Sequence, residues 1–294
     1  MPAQIIDGNE LSAQIRSEVK TRTEVFTARH GFAPGLAVVL VGENPASVSY
    51  VRGKERDGVE VGFHAETIRR PADITQEQLL GLIHELNRDT RFHGILVQLP
   101  LPPHIDADAI VEALDYRKDA DCLNSHNVGR LLQGEGKLIP CTPSGVQQML
   151  IRTGHDPAGK HVVICGRSNL VGKPLGALLV QKAVGANATV TLCHTGTKDL
   201  PFFTRQADIL VAATGVRNSI TADMVRDGAV VIDVGINRIE STTTKSGFRL
   251  VGDVDYAAVA EKASAITPVP GGVGPMTRAM LLVNTLTAAE MQVG

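Results

Sequence analysis

Short apolar runs alternate with amphipathic segments along most of the chain, and this alternation is typical of parallel βαβ units. In the first half, Asn44 followed by a proline and Thr75 followed by an amphipathic segment mark two helix N-termini. The elements predicted there are strands at 35–41, 64–69 and 94–99 and helices at 45–62, 75–87 and 106–114.

The same pattern restarts in the second half, where the strands are nearly continuous in apolar residues, as expected for parallel strands buried on both faces. Between the halves, the stretch 118–143 is rich in Gly, Asn and Asp and is interpreted as the passage between two domains. The later elements are predicted as helices at 142–153, 174–184 and 275–291, strands at 161–165, 188–193, 207–213, 229–234 and 263–267, and half of an edge hairpin at 248–251.

Composition and charge exclude several classes of protein. The chain has 294 residues, with 29 Lys and Arg against 31 Asp and Glu, and 43% of its residues are hydrophobic. This length suffices for about two packed domains, and the balanced charge indicates neither disorder nor nucleic-acid binding. The apolar runs are too short to cross a membrane, and the first residues do not form a signal peptide. We therefore expect a soluble, cytoplasmic protein with neither nucleic acid nor a membrane as a partner.

The four cysteines, at positions 122, 141, 165 and 193, do not have the spacing of a metal site. Because they form neither a C-x-x-C pair nor a Cys/His cluster, no metal is predicted. Cys165 and Cys193 end apolar runs, where cysteine is usually a small buried hydrophobe. Unclustered cysteines also favour a reducing compartment.

The first candidate for chemistry is the turn between the strand at 161–165 and the next helix. Gly166, Arg167 and Ser168 open this turn, and backbone N–H groups at such a place favour a bound phosphate. Ser168 stands where the dinucleotide fingerprint has its second glycine, so a plain strand-to-helix turn is the structural alternative. The next strand ends at Cys193 without the acidic residue that binds the ribose of NAD, and Arg167 suits a 2′-phosphate. These features favour NADP over NAD.

A second candidate lies in the first half. Tyr50 and Lys54 are four residues apart and share a face of the predicted helix. Gln98 ends the third strand, at the edge where α/β sheets bind ligands. A solvated helix face is the alternative interpretation of the Tyr/Lys pair, and Asp119 and Asp121 are equally compatible with ordinary loop or cap roles.

A third candidate is the segment 267–277, in which prolines and glycines lie close together. Prolines stiffen the backbone, and glycines let it approach a ligand closely. A purely structural turn rarely needs this density, so the segment predicts a binding function.

Together these motifs resemble those of the bifunctional methylenetetrahydrofolate dehydrogenase/methenyltetrahydrofolate cyclohydrolase family, over nearly the whole chain. Each motif is short, but their order and spacing are specific, and the last motif is the most specific. In chain order, they are Ala46-Ser47 with Tyr50-Val51 and Lys54, Gly94 to Pro102, Lys118 to Asp121, Pro140 to Gly145, Gly166-Arg167-Ser168 with Val171 to Pro174, and Pro268 to Thr277.

The resemblance implies an α/β fold of two domains with a cleft between them. Residues 1–122 are expected to form a folate-binding catalytic domain, and residues 123–274 a Rossmann-type NADP-binding domain. The C-terminal helix 275–294 is expected to pack back on the first domain. A homodimer is also implied, and the strand at 229–234 with the segment after it could form its interface.

The implied chemistry has two steps. NADP⁺ oxidises 5,10-methylenetetrahydrofolate to 5,10-methenyltetrahydrofolate, which is then hydrolysed to 10-formyltetrahydrofolate. The resemblance assigns the catalytic lysine to Lys54, its positioning partner to Gln98, stacking on the folate ring to Tyr50 and the aminopyrimidine edge of the pterin to Asp121. The other implied contacts are Pro270, Gly271 and Gly272 with folate and Gly166, Arg167, Ser168, Thr195 and Ile236 with the dinucleotide, the nicotinamide lying near Ile236.

Two positions depart from the family pattern. Cys122 follows Asp121 where relatives carry glycine, and we expect its side chain to disfavour a left-handed backbone. Gly196 stands where many relatives carry Lys or Arg, which removes one cation expected near a 2′-phosphate. Two alternatives stay open: a monofunctional NAD-dependent methylenetetrahydrofolate dehydrogenase, and a folate- or nucleotide-binding protein without catalysis. Lys54 favours both activities, because relatives that are only dehydrogenases can lack the lysine.

Overall fold

The structure, a computed structural model, describes residues 3–242, 244 and 247–294, and the chain divides into two compact units. Unit 1 comprises the residues up to Ser12 together with Thr142–Thr277, and unit 2 comprises Ala13–Cys141 and Arg278–Gly294. Residues 123–141, which the sequence analysis places in the dinucleotide-binding domain, thus belong to unit 2.

The helices and strands follow the predicted alternation. The helices are α1 (Gly8–His30), α2 (Pro45–Glu60), α3 (Gln76–Arg88), α4 (Ala107–Glu112), α5 (Ser125–Leu132), α6 (Cys141–Arg152), α7 (Gly172–Leu179), α8 (Leu200–Thr204), α9 (Tyr256–Ala260) and α10 (Val273–Val293). The strands are β1 (Gln4–Ile5), β2 (Gly35–Val41), β3 (His64–Arg70), β4 (Gly94–Val97), β5 (His161–Cys165), β6 (Thr189–Cys193), β7 (Ile209–Ala212), β8 (Val230–Asp233), β9 (Asn237–Glu240), β10 (Phe248–Val251) and β11 (Ala265–Ile266).

Unit 2 is built on a parallel three-stranded sheet in the order β3-β2-β4. Strand β2 is buried along its whole length, as expected for a central parallel strand that is covered on both faces. Leu79 and Ile83 of α3 pack with Ile95 of β4 in the core on one side of this sheet. An isolated parallel bridge joins Ile95 to Asp119 and so brings the segment after α4 alongside β4.

The two predicted N-caps of unit 2 are confirmed. Asn44 Oδ1 accepts hydrogen bonds from two backbone N–H groups in the first turn of α2, at 3.0 and 3.3 Å. Thr75 and Gln78 form a reciprocal capping box at the start of α3. These local contacts determine where each helix begins and therefore which residues share its faces.

Unit 1 is built on a parallel six-stranded sheet in the order β1-β11-β8-β7-β5-β6. Strand β5 pairs with β6 on one side and with β7 on the other, so the strand order reverses at β5. Open α/β sheets bind ligands at such a switch point, beyond the carboxyl ends of the strands. Strands β9 and β10 form a separate antiparallel hairpin, which confirms the predicted hairpin at 248–251.

Four helices are absent from the sequence prediction: α1, α5 and the short helices α8 and α9. Helix α1 is mostly polar and buries only a narrow stripe that includes Leu11, Ile15 and Val19, so its periodic signal is weak. Helix α5 lies inside the stretch that was interpreted as an irregular passage, and Asn124 caps it. Helix α7 ends at Leu179, earlier than predicted.

One further expectation is wrong. Cys122 has a φ of +59°, so it adopts the left-handed conformation that its side chain was expected to disfavour. It is fully buried, and its N–H and thiol donate to Asp119 O at 3.1 Å and Leu138 O at 3.2 Å, which offsets the cost of that conformation. Strand β8 lies between β11 and β7, so both of its edges are paired, and the dimer contact predicted for this strand with the segment after it stays a prediction.

Candidate functional site

The side chains of Lys54 and Gln98 meet in unit 2. Lys54 lies on α2, and Gln98 directly follows β4. Lys54 Nζ donates a hydrogen bond to Gln98 Oε1 at 2.9 Å, while Gln98 Nε2 donates to the Leu99 carbonyl at 2.6 Å. Because a backbone carbonyl engages the amide nitrogen, the amide oxygen is directed to the lysine.

Burial changes the protonation of Lys54. The residue is 8% exposed, and burial lowers the pKa of its ammonium group below the usual value, since water no longer stabilises the charge. Arg278 lowers this pKa further, whereas Asp121 and Cys141 raise it. A lysine with a lowered pKa presents more neutral amine at a given pH and can accept a proton from a reacting group.

Asp121 and Cys141 lie beside Lys54. The Cys141 thiol donates to the Ala120 carbonyl oxygen at 3.3 Å, and burial with the nearby Asp121 carboxylate holds the pKa of the thiol well above its usual value. The thiol therefore stays protonated and serves as a donor. The sequence identified Cys141 as one of four unclustered cysteines and as part of the motif at 140–145, but did not assign it to the lysine site. The available signal was that this motif occurs together with the motif from Lys118 to Asp121.

Tyr50 lies one turn before Lys54 on the same helix and is half-buried. Burial raises the pKa of its phenol, and the Arg278 guanidinium acts in the opposite direction. The ring is thus a neutral phenol at physiological pH with part of its surface open, which suits contact with a planar ligand.

Asp119 has a different environment from Asp121. It is 1% exposed, and its Oδ2 accepts hydrogen bonds from the backbone N of Asn124 at 2.8 Å and from Asn127 Nδ2 at 3.2 Å. Burial raises the pKa of this carboxyl to about 6. Asp119 therefore holds the start of α5, which is the structural role that the sequence left open.

Two charged residues of this region were not found from the sequence. Arg278, on α10, donates through Nε to Asp57 Oδ2 at 2.8 Å. Asp57 is on α2, three residues after Lys54, and is 1% exposed. Arg278 directly follows the motif at 268–277, and this position was the only signal for it.

The turn after β5 in unit 1 has the backbone geometry of an anion site. Gly166 has a φ of +143°, and a Cβ there would lie 2.2 Å from the Ala213 carbonyl oxygen. A Cβ at Gly172 would lie 2.0 Å from the Gly166 carbonyl oxygen, so both positions require glycine. Helix α7 begins here with no side-chain hydrogen bond from its N-cap residue Val171. In its first turn, Lys173 N–H donates to Ser168 O at 3.2 Å and Pro174 has no N–H, so the N–H of Gly172 is the helical donor that faces a phosphate.

The other residues expected at the dinucleotide follow the carboxyl ends of neighbouring strands. Arg167 and Ser168 follow β5, Thr195 follows β6 and Ile236 follows β8, and all four are exposed. Since parallel strands end at the same edge of a sheet, the fold gathers these residues at the edge that contains the switch point. The donor set and the glycine backbone fit a nicotinamide dinucleotide.

Pro270, Gly271 and Gly272 follow β11 at the same edge of unit 1. Gly271 has a φ of +102°. A Cβ at Gly8 would lie 1.8 Å from the Gly272 carbonyl oxygen, so this loop packs tightly on the start of α1. Packing thus accounts for part of the glycine density from which a binding function was predicted.

The described residues contain no group of three or more His, Cys, Asp and Glu side chains arranged to hold a metal ion. None of the described helices has the length and apolarity needed to span a membrane.

The fold and the two sets of residues define an α/β protein with a Rossmann-type dinucleotide-binding unit and a second unit that carries a buried lysine. Two family models match the chain: tetrahydrofolate dehydrogenase/cyclohydrolase, catalytic domain, over residues 6–121, and its NAD(P)-binding domain over residues 140–293. The chain belongs to the tetrahydrofolate dehydrogenase/cyclohydrolase family. This confirms the family resemblance and the two-domain α/β fold class.

Individual relatives agree with this assignment. The chain is 55% identical to the "Bifunctional protein FolD" of Chlorobium phaeobacteroides, over 96% of this chain and 97% of that protein. It is 46% identical to the crystal structure of the bifunctional methylenetetrahydrofolate dehydrogenase/cyclohydrolase from Campylobacter jejuni, with a TM-score of 0.92 and coverage of 99% and 100%. The Trypanosoma brucei enzyme, complexed with NADP and an inhibitor, is 38% identical, with a TM-score of 0.94 and coverage of 100% and 99%.

Proposed function

We propose that this protein oxidises 5,10-methylenetetrahydrofolate with NADP⁺ and hydrolyses the resulting 5,10-methenyltetrahydrofolate to 10-formyltetrahydrofolate. The observation that carries this proposal is the buried Lys54, hydrogen-bonded to Gln98 at 2.9 Å. A chain that only bound folate or nucleotide would have no need for a buried amine whose charge is disfavoured.

In the hydrolysis, Lys54 is the proton acceptor. The methenyl group is cationic, so its carbon is already electrophilic. Water adds to that carbon, and the neutral Lys54 amine accepts one of the protons of the water. As the adduct opens, the hydroxyl proton is transferred to N5 of the folate, the bond between carbon and N5 breaks, and the formyl group stays on N10. Gln98 acts by holding Nζ in place through the transfer.

Tyr50 and Asp121 bind the folate. The half-open ring of Tyr50 stacks on the folate ring system, and the Asp121 carboxylate accepts hydrogen bonds from the aminopyrimidine edge of the pterin. Further folate contacts are assigned to the backbone of Pro270, Gly271 and Gly272.

The dinucleotide is held by Gly166, Arg167, Ser168, Thr195 and Ile236. When bound, NADP⁺ supplies the hydride acceptor for the oxidation. The backbone at Gly166 and the N-terminus of α7 bind the pyrophosphate, and Arg167 pairs with the 2′-phosphate. The exposed Ile236 side chain lies against the nicotinamide. Gly196 contributes no cation, so the preference for NADP over NAD depends on Arg167.

The protein acts as a cytoplasmic homodimer in this proposal. All four cysteines are buried as free thiols, which suits a reducing compartment. The hairpin β9–β10 follows β8 and presents the exposed Phe248, over which Arg238 stacks at 4.0 Å. This hairpin, rather than β8, is the proposed contact with a second copy. Light scattering after size exclusion measures the mass, and a monomer at micromolar concentration contradicts the dimer.

The decisive assay follows the reduced cofactor and the methenyl chromophore separately, with methylenetetrahydrofolate and either NADP⁺ or NAD⁺. We expect reduced cofactor without accumulation of methenyl product, and higher kcat/KM with NADP⁺. Methenyl product that decays no faster than without protein would leave a dehydrogenase only, and a preference for NAD⁺ would favour the monofunctional alternative. No reduction with either cofactor would favour a protein that binds without catalysis.

A further inference from the structure

A charged pair outside the assigned site involves Asp57, on the same helix as Lys54. Arg278 Nε is 2.8 Å from Asp57 Oδ2, although the two residues are 221 positions apart in the chain. The Asp57 side chain is 1% exposed and the Arg278 side chain 24%. A buried carboxylate in contact with a partly buried guanidinium holds that cation at one place.

The guanidinium is held against the backbone of α2 next to the lysine. A Cβ at Gly53 would lie 3.1 Å from Arg278 Nη1 and 3.4 Å from its Cδ. Gly53 directly precedes Lys54, so the absence of a side chain there lets the cation approach the helix. The same guanidinium opposes the rise that burial causes in the pKa of the Tyr50 phenol, so its charge acts on both the folate-stacking residue and the lysine.

The surroundings of Lys54 contain charges of both signs. The Asp121 carboxylate favours the charged ammonium, burial and Arg278 disfavour it, and Gln98 is neutral. Arg278 is thus the cationic side chain that opposes Asp121 at Lys54. A guanidinium keeps its charge throughout the working pH range, so its effect on the lysine is permanent.

We propose that Arg278, anchored by Asp57, is a positioning residue that holds a fixed positive charge beside Lys54 and thereby keeps this amine neutral and ready to accept a proton. The inference rests on the proposed hydrolysis, in which neutral Lys54 takes a proton from water. It assigns the pair a role in the reaction beyond joining α2 to α10.

The sign of the effect follows from the charge. Without Arg278, the ammonium form of Lys54 loses a repulsive neighbour while Asp121 remains, so its pKa rises. Hydrolysis that requires neutral Lys54 increases with pH through this pKa. The rising limb of kcat/KM for hydrolysis should therefore move to higher pH in Arg278→Met, by about 0.5–1 unit for a partly screened charge.

The experiment compares the pH profiles of methenyltetrahydrofolate hydrolysis, with the uncatalysed rate subtracted, in the wild type and four variants. Arg278→Met removes the charge and keeps an apolar stem, and Arg278→Lys keeps the charge. Arg56→Met is the matched control, since Arg56 contacts the same carboxylate at 3.0 Å but its side chain is 71% exposed. We expect the rising limb of kcat/KM to lie at higher pH in Arg278→Met. In Arg278→Lys and Arg56→Met, its midpoint should lie within about 0.2 pH unit of the wild-type midpoint.

The fourth variant separates this role from a structural one. Arg278→Met leaves the buried Asp57 with the exposed Arg56 as its cationic partner, which is destabilising, whereas Asp57→Asn/Arg278→Met also removes the carboxylate charge. If the Asp57–Arg278 ion pair only stabilises the fold, the double variant should regain the wild-type pH profile. Our inference predicts a stable double variant whose profile is still shifted to higher pH, and a wild-type profile in this variant would overturn it.

A direct measurement makes the inference independent of activity. The pH dependence of acetylation of Lys54 by trace acetic anhydride, read by mass spectrometry of the apo protein, reports the pKa of that amine. The midpoint should rise in Arg278→Met and in the double variant but not in Arg56→Met; equal midpoints in all of them would overturn the inference. A wild type without hydrolysis would contradict the proposed function, while this labelling would still test the charge effect.

Discussion

The lysine site of unit 2 and the nucleotide turn of unit 1 use opposite physical means. At the lysine site, side chains provide the chemistry: Lys54 is 8% exposed, and its protonation is set by burial and by charged neighbours. At the nucleotide turn, the backbone provides the site: glycines at positions 166 and 172 allow the close approach of backbone segments that shapes the turn, and Arg167 and Ser168 are exposed. A group that exchanges protons needs a shifted pKa and hence burial, whereas a group that holds a phosphate needs accessible donors.

The substitution with the largest expected effect is at the lysine site of unit 2. Lys54→Met removes the proton acceptor and keeps a similar volume, so hydrolysis of methenyltetrahydrofolate should fall about 10²–10⁴-fold. Binding of NADP⁺ should be unchanged, because the assigned nucleotide contacts lie in unit 1. Ring opening at the wild-type rate would remove Lys54 from the mechanism.

The next effect distinguishes a structural carboxylate from a functional one in unit 2. The pKa of Asp119 is raised from its model-peptide range to about 6 by burial, so the folded state binds this proton more tightly than the unfolded state. Its contribution to stability is full below about pH 4 and is lost as the pH rises through about 6. The side chain of Asp119→Asn stays neutral, so this variant should lose the pH-dependent contribution to the free energy of unfolding, on the order of 3 kcal/mol.

Urea unfolding of Asp119→Asn and the wild type at several pH values between 4 and 7 measures that difference. The free energy of unfolding of the variant relative to wild type should increase with pH across this range. A constant difference would mean that Asp119 titrates at the same pH in both states. Asp121→Asn is the control at a half-buried carboxylate nearby.

A third prediction tests the nucleotide side. Arg167→Ala should raise the Kd for NADP⁺ by about 10- to 100-fold through loss of a charge-assisted contact, with little change for NAD⁺, which has no 2′-phosphate. Titration calorimetry with both dinucleotides measures this. Equal losses for both would assign Arg167 to the pyrophosphate, and Lys173→Ala, on the same turn, is a matched control for general loss of charge.

The smallest expected effect concerns folate recognition. Asp121→Ala should weaken folate binding by about 10-fold, the cost of one or two hydrogen bonds to a charged group, and should leave the Kd for NADP⁺ unchanged. Fluorescence titration with tetrahydrofolate provides the measurement. Similar losses for folate and NADP⁺ would instead indicate that Asp121 supports folding.

Local features of the sequence predicted most of the fold. Strands β2, β4, β5, β7 and β8 were located because each is a nearly continuous apolar run, whereas β1 was not predicted. Asn44 and Thr75 were correct as caps because a cap depends on neighbours within three residues. Helix α1 was not predicted because only a narrow stripe of it is buried, and the hydrophobic periodicity of its sequence is therefore weak. At Cys122, tertiary packing overrode local preference, since burial and two hydrogen bonds hold a conformation that its side chain disfavours.

The sequence by itself determined the alternating α/β pattern, the turn after β5 and, through short motifs in a specific order, the family. Only the tertiary structure decided that Lys54 is buried against Gln98, that Asp119 is structural while Asp121 stands beside the lysine, and that Asp57 holds Arg278. The physical reason is that caps, turns and periodicity act over a few residues. Burial, pKa shifts and ion pairs instead depend on which distant segments the closed fold brings together.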